Sequence, residues 1–403
     1  MTASAQPVAC HVWQPEPEGT GSSPDMAKWV KPLYASGEVN AVGKKLRNYF
    51  DGDDDATVNH GLNVINNWRA CHSYPLLSMR MTLTTRARKV DSRVIVAQRL
   101  KRLWSIQLKL ERNENMALSQ MQDIGGCRAV LRTVGQVEKL VRLYERAVAR
   151  NPKRGSEFSK KYDYIQRPKK DGYRSVHLVF KYRTLSRVHK VWNGLRIEIQ
   201  LRSRMQHAWA TAVETVDTFT RQAIKTGGGK AEWRRFFLLM GSAIAIIERR
   251  PVCPECPADV VSLRNEIKDY VQKLNVRAVL RGWSKAMTVI PSATTKDAAV
   301  YLLYLDATEG SETIKVTGFS SHREAKASDA YLATEKMIKD KPNLQAVLVS
   351  AQSLQSLRSA FPNYFADTEV FIDAISQALI LKPADVASSS LVSAQPTLFA
   401  VQK

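Results

Sequence analysis

The sequence has no apolar run long enough to span a bilayer, which takes about 20 residues. Its longest apolar stretch, residues 236–247, lies between basic residues and Glu248, a pattern typical of a buried helix. The first 20 residues also lack a basic segment followed by an apolar one, so they do not resemble a secretion signal. We therefore expect a cytoplasmic protein that makes no contact with a membrane.

Cysteine is also scarce, with five residues scattered from Cys10 to Cys256 in a chain of 403. This spacing excludes a small disulfide-stapled domain and indicates reduced thiols. Only Cys253 and Cys256 have the spacing of metal ligands, and no second pair or nearby histidine completes a zinc site. We interpret this segment as a connector between helices, with structural zinc as the less favoured alternative. The acidic run at 51–55 is interpreted as a turn or helix cap.

Acidic residues are few beside basic ones, at 38 against 60, which leaves a net charge of +22. The imbalance lies before Lys285, where there are 49 basic and 26 acidic residues; from Lys285 onward there are 11 and 12. The first part of the chain therefore suits a polyanion such as a nucleotide, a tRNA or another nucleic acid, although the charge also serves solubility. Charge alone does not distinguish these ligands.

A chain of this length with 44% apolar residues exceeds one hydrophobic core, and we expect two or three domains. Composition and periodicity divide the chain into six segments: a disordered leader (1–25), a helical extension (26–95), a strand-containing domain (96–220), a helical segment (221–283), an α+β domain (284–383) and a flexible tail (384–403). Near-heptad apolar spacing at 260–274 predicts a helix that pairs with another helix.

The periodicity predicts a mixed α/β fold. We expect a basic helix over 91–112, a strand over 127–133 followed by a helix, and strands over 175–182 and 195–202. In the C-terminal domain we expect strands near 285–290, 299–306, 313–319 and 345–350, a helix near 322–340 and two closing helices. Alternation over 196–202 places Glu198, Gln200 and Arg202 on one face of a strand and apolar residues on the other.

Two polar stretches lie early in the strand-containing domain. The first lies on a helix or just before it and contains four cationic residues and a serine: Arg99, Lys101, Arg102, Lys109 and Ser105. The second is Asp123 followed by Ile and two glycines, which let the backbone approach a phosphate closely and leave a carboxylate at the entrance of a strand. Taken alone, the first fits a solvated helix face and the second fits a turn.

Two further polar stretches follow. The third combines a turn, cations and an aromatic ring that can stack on a nucleobase, and it contains Lys169, Asp171, Tyr173 and His177. The fourth runs from Glu198 through Gln200 and Arg202 to the segment Met205-Gln-His-Ala-Trp209. The alternative interpretation of the third stretch is a hairpin turn with a structural tyrosine.

Together, in this order, the four stretches resemble the RelA/SpoT synthetase family of alarmone nucleotidyltransferases, over about residues 96–214. The resemblance implies a mixed sheet flanked by helices, related to nucleotidyltransferases. It also implies transfer of pyrophosphate from ATP to the 3′-hydroxyl of GDP or GTP, which releases AMP and makes (p)ppGpp. Asp171 departs from the Asn of many members and Val176 from a common Leu, which puts details of nucleotide contact in question.

The resemblance assigns roles to matching residues. Asp123 and Glu198 match the catalytic carboxylates and hold Mg²⁺, and Glu198 also accepts the proton of the 3′-hydroxyl. The ATP side comprises Arg99, Lys101, Ser105 and Lys109. The acceptor side comprises Lys169, Asp171, Tyr173, His177, Gln200 and Arg202, with Tyr173 stacking on the base and the last two supporting Glu198. Ser105, Gly126 and Arg128 are expected to shape the pocket.

The 95 residues before the matching region contain three histidines, His11, His60 and His72, and no His-Asp pair. We therefore expect no alarmone hydrolase domain and a small synthetase with an unfamiliar C-terminal domain. That domain could serve oligomerisation, regulation or neutralisation of the synthetase, and a homo-oligomer is expected. Two alternatives remain: toxin-type transfer of pyrophosphate to the 3′ end of tRNA, and a non-catalytic module that binds nucleotide or RNA.

Overall fold

The structure is a computed structural model. It describes residues 29–150, 155–220, 230–289, 298–306, 313–320, 323–338, 344–350 and 364–387. The expected leader at 1–25 lies outside these residues, as does the expected tail at 384–403 beyond residue 387. The described part of that tail, 384–387, is helical rather than loose. The fold is mixed α/β, with a five-stranded mixed sheet flanked by helices, as the sequence predicts. Among the described helices, none is long and apolar enough to cross a membrane.

Three helices come first: α1 (Ser36–Arg47), α2 (Asp55–Ala70) and α3 (Ser73–Arg88). The acidic run at 51–55 forms a turn and a cap, since Asp54 accepts a hydrogen bond from the backbone N–H of Thr57 at 2.7 Å and so caps α2. Helices α1 and α2 share a core with α4 (Leu103–Glu111), built around Leu46, Ile65 and Ile106. This extension therefore supports the helix that carries Lys109.

The five-stranded sheet contains β1 (Ile95–Leu100), β2 (Gly125–Leu131), β3 (Glu157–Asp163), β4 (Val176–Lys181) and β5 (Arg196–Ser203) in the order β1-β2-β5-β4-β3. Only the β2–β5 pair is parallel. One face is apolar and packs on α3 and on α5 (Val134–Arg150), because alternate residues such as Ile197, Ile199 and Leu201 point to that side. The opposite face carries the polar residues of β5.

The helical segment and the C-terminal part follow. They contain α6 (Arg204–Thr220), α7 (Lys230–Ile247), α8 (Val260–Lys273), α9 (Val276–Val289), β6 (Ala298–Asp306), β7 (Thr313–Ser320), α10 (Glu324–Ile338), β8 (Leu344–Ser350), α11 (Tyr364–Ala378) and α12 (Pro383–Ala387). The last three strands form an antiparallel sheet ordered β7-β6-β8. Helix α8, expected to pair with another helix, packs against α7 and α9 of the same chain.

Two element predictions are wrong, and one strand is unpredicted. The basic helix expected over 91–112 is β1 followed by α4, because Ile95–Leu100 pairs as an edge strand with β2. The strand expected near 285–290 is instead the end of α9, whose buried face continues from Val276 through Val279 to Trp283. Strand β3, which is largely polar, has no counterpart in the predictions.

A single core extends across the expected boundary at residue 283. Helix α11 packs along α6, α7 and α9, and Phe371 is fully buried there with Phe236 and Phe237. Strands β6 and β7 pack on α9 in the same core. The domain bounds themselves stay a prediction, but the two segments that they separate share buried surface.

Candidate active site

The polar face of the sheet brings the four stretches together. Cross-strand partners share a face, so the pairing of Arg99 with Gly126, and of Gly126 with Glu198, aligns three strands at one level. At the next level, Arg128 pairs with Gln200 and Gln200 with His177. A Cβ added at Gly126 would meet one atom within 4 Å, the Glu198 carbonyl oxygen at 3.9 Å. The glycine therefore leaves open space beside Glu198.

Asp123 lies just before β2 and pairs with two lysines. Lys101 Nζ is 2.7 Å from its Oδ2, and Lys109 Nζ is 2.8 Å from its Oδ1. Burial raises the pKa of Asp123, but the two ammonium groups outweigh burial and lower that pKa to about 2. Asp123 is therefore a fully ionised carboxylate with two cations beside it.

Glu198 is buried, and both of its carboxylate oxygens make hydrogen bonds. Its Oε1 lies 2.9 Å from His177 Nδ1, and its Oε2 accepts from Gln200 Nε2 at 2.7 Å. Burial raises the pKa of Glu198, and so does the charge of Asp123, yet His177 and Gln200 outweigh both and leave that pKa below its usual value. The structure thus joins Gln200 directly to Glu198.

The chain continues from His177 to Tyr173 and Arg202. The Tyr173 hydroxyl lies 2.8 Å from His177 Nε2 and accepts from Arg202 Nη2 at 2.7 Å. Burial lowers the pKa of His177, but Glu198 and Tyr173 raise it above its usual value. Burial raises the pKa of Tyr173, whereas Arg202 and His177 lower it to about 8. This arrangement fits a cationic imidazole between an anionic carboxylate and the phenol.

The Tyr173 ring, expected to stack on a base, lies close to two cations. Lys169 Nζ is 5.0 Å and Arg202 Cζ 5.1 Å from its centroid. Lys169 Nζ is also 4.7 Å from the centroid of Tyr164, which stacks on Tyr162 at 5.9 Å and 10°. These three tyrosines and Lys169 form an aromatic column that runs from Tyr162 on β3 to Tyr173, just before β4. Patterns in the sequence do not single out Tyr162 or Tyr164, because β3 is not predicted.

The remaining predicted site residues lie on the turn before β4 and on β1, α4 and β2. Asp171 is exposed, and its Oδ1 accepts from the Tyr173 backbone N–H at 3.0 Å, so it stabilises the turn that carries Lys169. Arg99 is exposed on β1, and Ser105 is half-buried on α4. Arg128 lies on the polar face, where burial and the charges of Arg202 and Arg99 lower its pKa to about 10.

The turn that carries Lys169, Asp171 and Tyr173, here called the acceptor turn, packs against the helical segment. Gly172 has φ of +87° and touches the backbone of α7, where a Cβ on Gly241 would lie 2.6 Å from the Gly172 carbonyl oxygen. Cys253 Sγ donates to the Lys169 carbonyl oxygen at 3.1 Å. The segment with the two spaced cysteines is thus the connector between α7 and α8. Among the described residues, no group of three or more His, Cys, Asp or Glu side chains could hold a metal.

The candidate site lies in a region of the chain that matches a known protein family. Residues 98–218 match the family described as the region found in RelA/SpoT proteins, and the matched span contains most of the polar face just described. The chain carries a RelA/SpoT region. The matched span includes all the site residues expected from the resemblance.

Solved structures of small alarmone synthetases and of a GTP pyrophosphokinase family protein are similar to part of this chain. Small alarmone synthetase 1 from Bacillus subtilis bound to its product pppGpp has 20% identity and a TM-score of 0.36, covering 44% of this chain and 89% of that one. The same protein bound to AMPCPP has 16% identity and a TM-score of 0.32, covering 44% and 87%. A GTP pyrophosphokinase family protein from Streptococcus pneumoniae has 19% identity and a TM-score of 0.36, covering 50% and 92%. No curated protein sequence matches this chain.

Proposed function

We propose that this protein transfers pyrophosphate from ATP to the 3′-hydroxyl of GDP or GTP and so makes (p)ppGpp. The observation that carries the proposal is the buried carboxylate of Glu198 beside the open space at Gly126, within the electrostatic reach of Asp123 and its two lysines. In this reaction the 3′-oxygen attacks the β-phosphorus of ATP. The bond from that phosphorus to the α,β-bridging oxygen breaks, and AMP leaves.

The side chains have distinct parts in this reaction. Glu198 accepts the hydroxyl proton, and His177 orients the carboxylate by holding Oε1. Lys101 and Lys109 balance charge that the phosphates bring, and Arg99 lies at the same level of the sheet as Glu198. Because two nucleotides together bring many negative charges, such a concentration of cations is what their close approach requires.

Mg²⁺ fits the carboxylates of this face. Asp123 raises the pKa of Glu198, so the two negative charges interact and a cation between them would relieve their repulsion. Mg²⁺ in nucleotide sites uses one or two carboxylates together with phosphate oxygens and waters. Asp123 and Glu198 would hold the ion, which would neutralise charge at the β-phosphate and favour ionisation of the attacking hydroxyl.

The test is transfer of labelled pyrophosphate from ATP to GDP or GTP by purified protein with Mg²⁺, followed by thin-layer chromatography. We expect tetra- or pentaphosphate and an equal amount of AMP. Glu198→Gln should lower kcat by about 10³-fold or more, because it removes the proposed base. Glu157→Gln is the matched control, since Glu157 is exposed on β3 and pairs with Lys181. A folded protein that forms neither product at any Mg²⁺ concentration would contradict the proposal.

A second acceptor, the 3′ end of a tRNA, is favoured by one observation. The aromatic column of Tyr162, Tyr164 and Tyr173 with Lys169 begins on β3, and Lys160 Nζ lies 5.0 Å from the Tyr162 ring. Alternating rings and cations suit single-stranded RNA, whose bases stack while its phosphates pair. Transfer of label to the terminal adenosine of tRNA, with no free alarmone, would favour this acceptor. Nucleotide binding without AMP release would favour a non-catalytic module.

A further inference from the structure

A cleft lined by cations lies between α8, α9 and the end of α11. Its volume is about 600 Å³, within the range of about 300–1,000 Å³ that is typical of small-ligand sites. Within the described structure, no acidic residue lines it, and none of its lining residues belongs to the polar face of the five-stranded sheet. The cleft is therefore separate from the candidate active site. Its four cationic residues are Arg264, Lys268, Arg277 and Arg281.

Helical spacing explains how these cations come together. Side chains four residues apart lie on the same face of a helix. Arg264 and Lys268 therefore share one face of α8, and Arg277 and Arg281 share one face of α9. Helices α8 and α9 pack against each other, which brings both pairs to one cleft. Like charges at this spacing repel each other, so a bound anion would relieve the repulsion.

Two of the guanidinium groups are held in place by the end of α11 and the residues that follow it. Arg264 Nη1 donates to the Leu381 carbonyl oxygen at 3.2 Å, and Arg277 Nη2 donates to Ser376 Oγ at 3.1 Å. A guanidinium group has five N–H donors, so neither bond uses up the donors of its group. Because these side chains are already fixed, less conformational entropy is lost when they bind a ligand.

Carboxylates balance little of the positive charge. Arg281 Nε lies 3.8 Å from Glu369 Oε1, and both of these side chains are partly exposed. Among the described residues, no carboxylate oxygen lies within 4.0 Å of the charged nitrogens of Arg264, Lys268 or Arg277. The negative C-terminal end of α11 attracts cations and accounts for the two guanidinium groups that it holds. It does not account for Lys268, which is exposed.

The number of cations indicates the class of ligand. A chain of three phosphates brings about as many negative charges as the cleft has cations, whereas a single carboxylate brings one. Arginine and lysine are the side chains that bind phosphate in proteins. Two exposed amides, Asn265 and Gln272, line the same cleft, and amide side chains can pair with the edge of a nucleobase. Val271 and Leu379 add apolar surface to the lining.

We propose that the cleft between α8 and α9 is an oligophosphate-binding site, which takes the phosphate chain of a nucleoside triphosphate or an inorganic chain of similar length. The four cations bind the phosphates, and Asn265 and Gln272 contact the base where the chain belongs to a nucleotide. Because three helical segments enclose it as a cavity, the cleft suits a compact anion better than the extended backbone of an RNA. The proposal is independent of the proposed function, since no lining residue takes part in pyrophosphate transfer.

Calorimetry with inorganic tripolyphosphate and the full chain tests the site. Lys268→Glu is compared with Lys273→Glu, which makes the same change at an exposed lysine of the same helix outside the cleft. We expect Lys268→Glu to raise the Kd of tripolyphosphate by roughly 10-fold or more, because one attraction becomes a repulsion. Lys273→Glu should change the Kd by less than about 2-fold. The wild-type Kd should rise with added NaCl.

The cations of the polar face could also bind tripolyphosphate, so the same titrations are repeated in a Lys101→Gln background. Lys101 belongs to the polar face, and the effect of Lys268→Glu should persist when it is replaced. ATP and GTP are titrated in this background as well. Tighter binding of a nucleotide than of tripolyphosphate, weakened by Gln272→Ala, would identify a nucleotide as the ligand. Equal binding of the three would identify the phosphate chain alone.

Three results would overturn the proposal. The first is an equal Kd of tripolyphosphate in wild type and Lys268→Glu, and the second is an equal effect of Lys273→Glu. The third is the absence of binding by tripolyphosphate, ATP and GTP in the Lys101→Gln background. A single-stranded oligonucleotide whose binding is weakened by Lys268→Glu, and which tripolyphosphate does not displace, would assign the cleft to RNA instead.

Discussion

At the scale of residues, the hydroxyl of Tyr173 links two other side chains of the polar face, in addition to the stacking expected of its ring. It joins His177 to Arg202, so its loss would remove one of the two acceptors of Arg202 Nη2 and the partner of His177 Nε2. Tyr173→Phe keeps the ring and removes this link. We expect kcat to fall by about 10- to 100-fold, with a smaller change in the KM for GDP. If Tyr173 served only to stack on a base, the variant would behave like wild type; Tyr34→Phe, remote from the site, is the control.

His72 predicts a dependence of stability on pH. It is buried, its Nδ1 donates to the Trp68 carbonyl oxygen at 2.7 Å, and burial lowers its pKa to about 4 despite that bond. Between about pH 6.5 and pH 4, the unfolded chain binds a proton that the folded chain does not. Stability is therefore complete above the unfolded pKa and falls as pH decreases, by about 2 kcal/mol from pH 6.5 to pH 5.

Denaturant unfolding at pH 7 and pH 5 measures this effect. His72→Gln is expected to be less stable at pH 7 but to lose about 2 kcal/mol less than wild type on acidification. His60→Gln is the control, because His60 is exposed on α2. Equal losses of stability in wild type and His72→Gln would contradict this prediction, because protonation of His72 would then not account for the loss on acidification.

At the scale of elements, the contact between the acceptor turn and α7 depends on two glycines. A Cβ on Gly241 would lie 2.6 Å from the carbonyl oxygen and 3.0 Å from the Cα of Gly172. Because backbone atoms cannot yield as a side chain can, Gly241→Ala should displace the turn that carries Lys169 and Tyr173. We expect the KM for the acceptor to rise by roughly 10-fold and stability to fall by about 1–3 kcal/mol.

Gly37→Ala is the matched control for Gly241→Ala. Gly37 lies in α1, and an added Cβ there meets nothing within 4 Å. This substitution should leave the acceptor KM unchanged and stabilise the protein slightly, since Gly costs about 0.5–1 kcal/mol in a helix relative to Ala. An acceptor KM that is unaffected by Gly241→Ala would mean that the turn adapts without moving its side chains.

The same elements show what could be predicted from the sequence. Alternation over 196–202 is local, so it correctly places Glu198, Gln200 and Arg202 on one face. The contact of His177 with Glu198 depends on the register of β4 against β5, which no local pattern specifies. The basic composition of 91–112, with Arg102, Ser105 and Lys109 at helical spacing, favours one helix over the whole stretch, including the residues that form β1. The pairing of β1 with β2 is a tertiary interaction that overrides this pattern.

At the scale of the whole molecule, the basic and near-neutral parts of the chain are joined by buried surface. The change in net charge at Lys285 favours a separable C-terminal domain. However, Asp367 and Phe371 pack α11 into the core formed by helices that precede Lys285 in the sequence. Charge reports on the surface and not on which helices share a core. The fall in net charge at Lys285 therefore marks a change in the composition of the exposed surface. Whether the C-terminal part can be removed without unfolding the rest depends instead on the core that the two parts share.

Truncation after Trp283 tests which of these observations governs folding. It removes α11, β6 and β7 and so exposes buried residues on α6, α7 and α9, among them Phe236 and Phe237. We expect the truncated chain to be insoluble, or to lose cooperative unfolding, because so much apolar surface would contact water. Truncation after Ala387 keeps α11 and α12 and should leave the thermal transition unchanged. A truncated protein that stays soluble, unfolds cooperatively and transfers pyrophosphate faster than the full chain would show instead that the C-terminal part is separable and restrains catalysis.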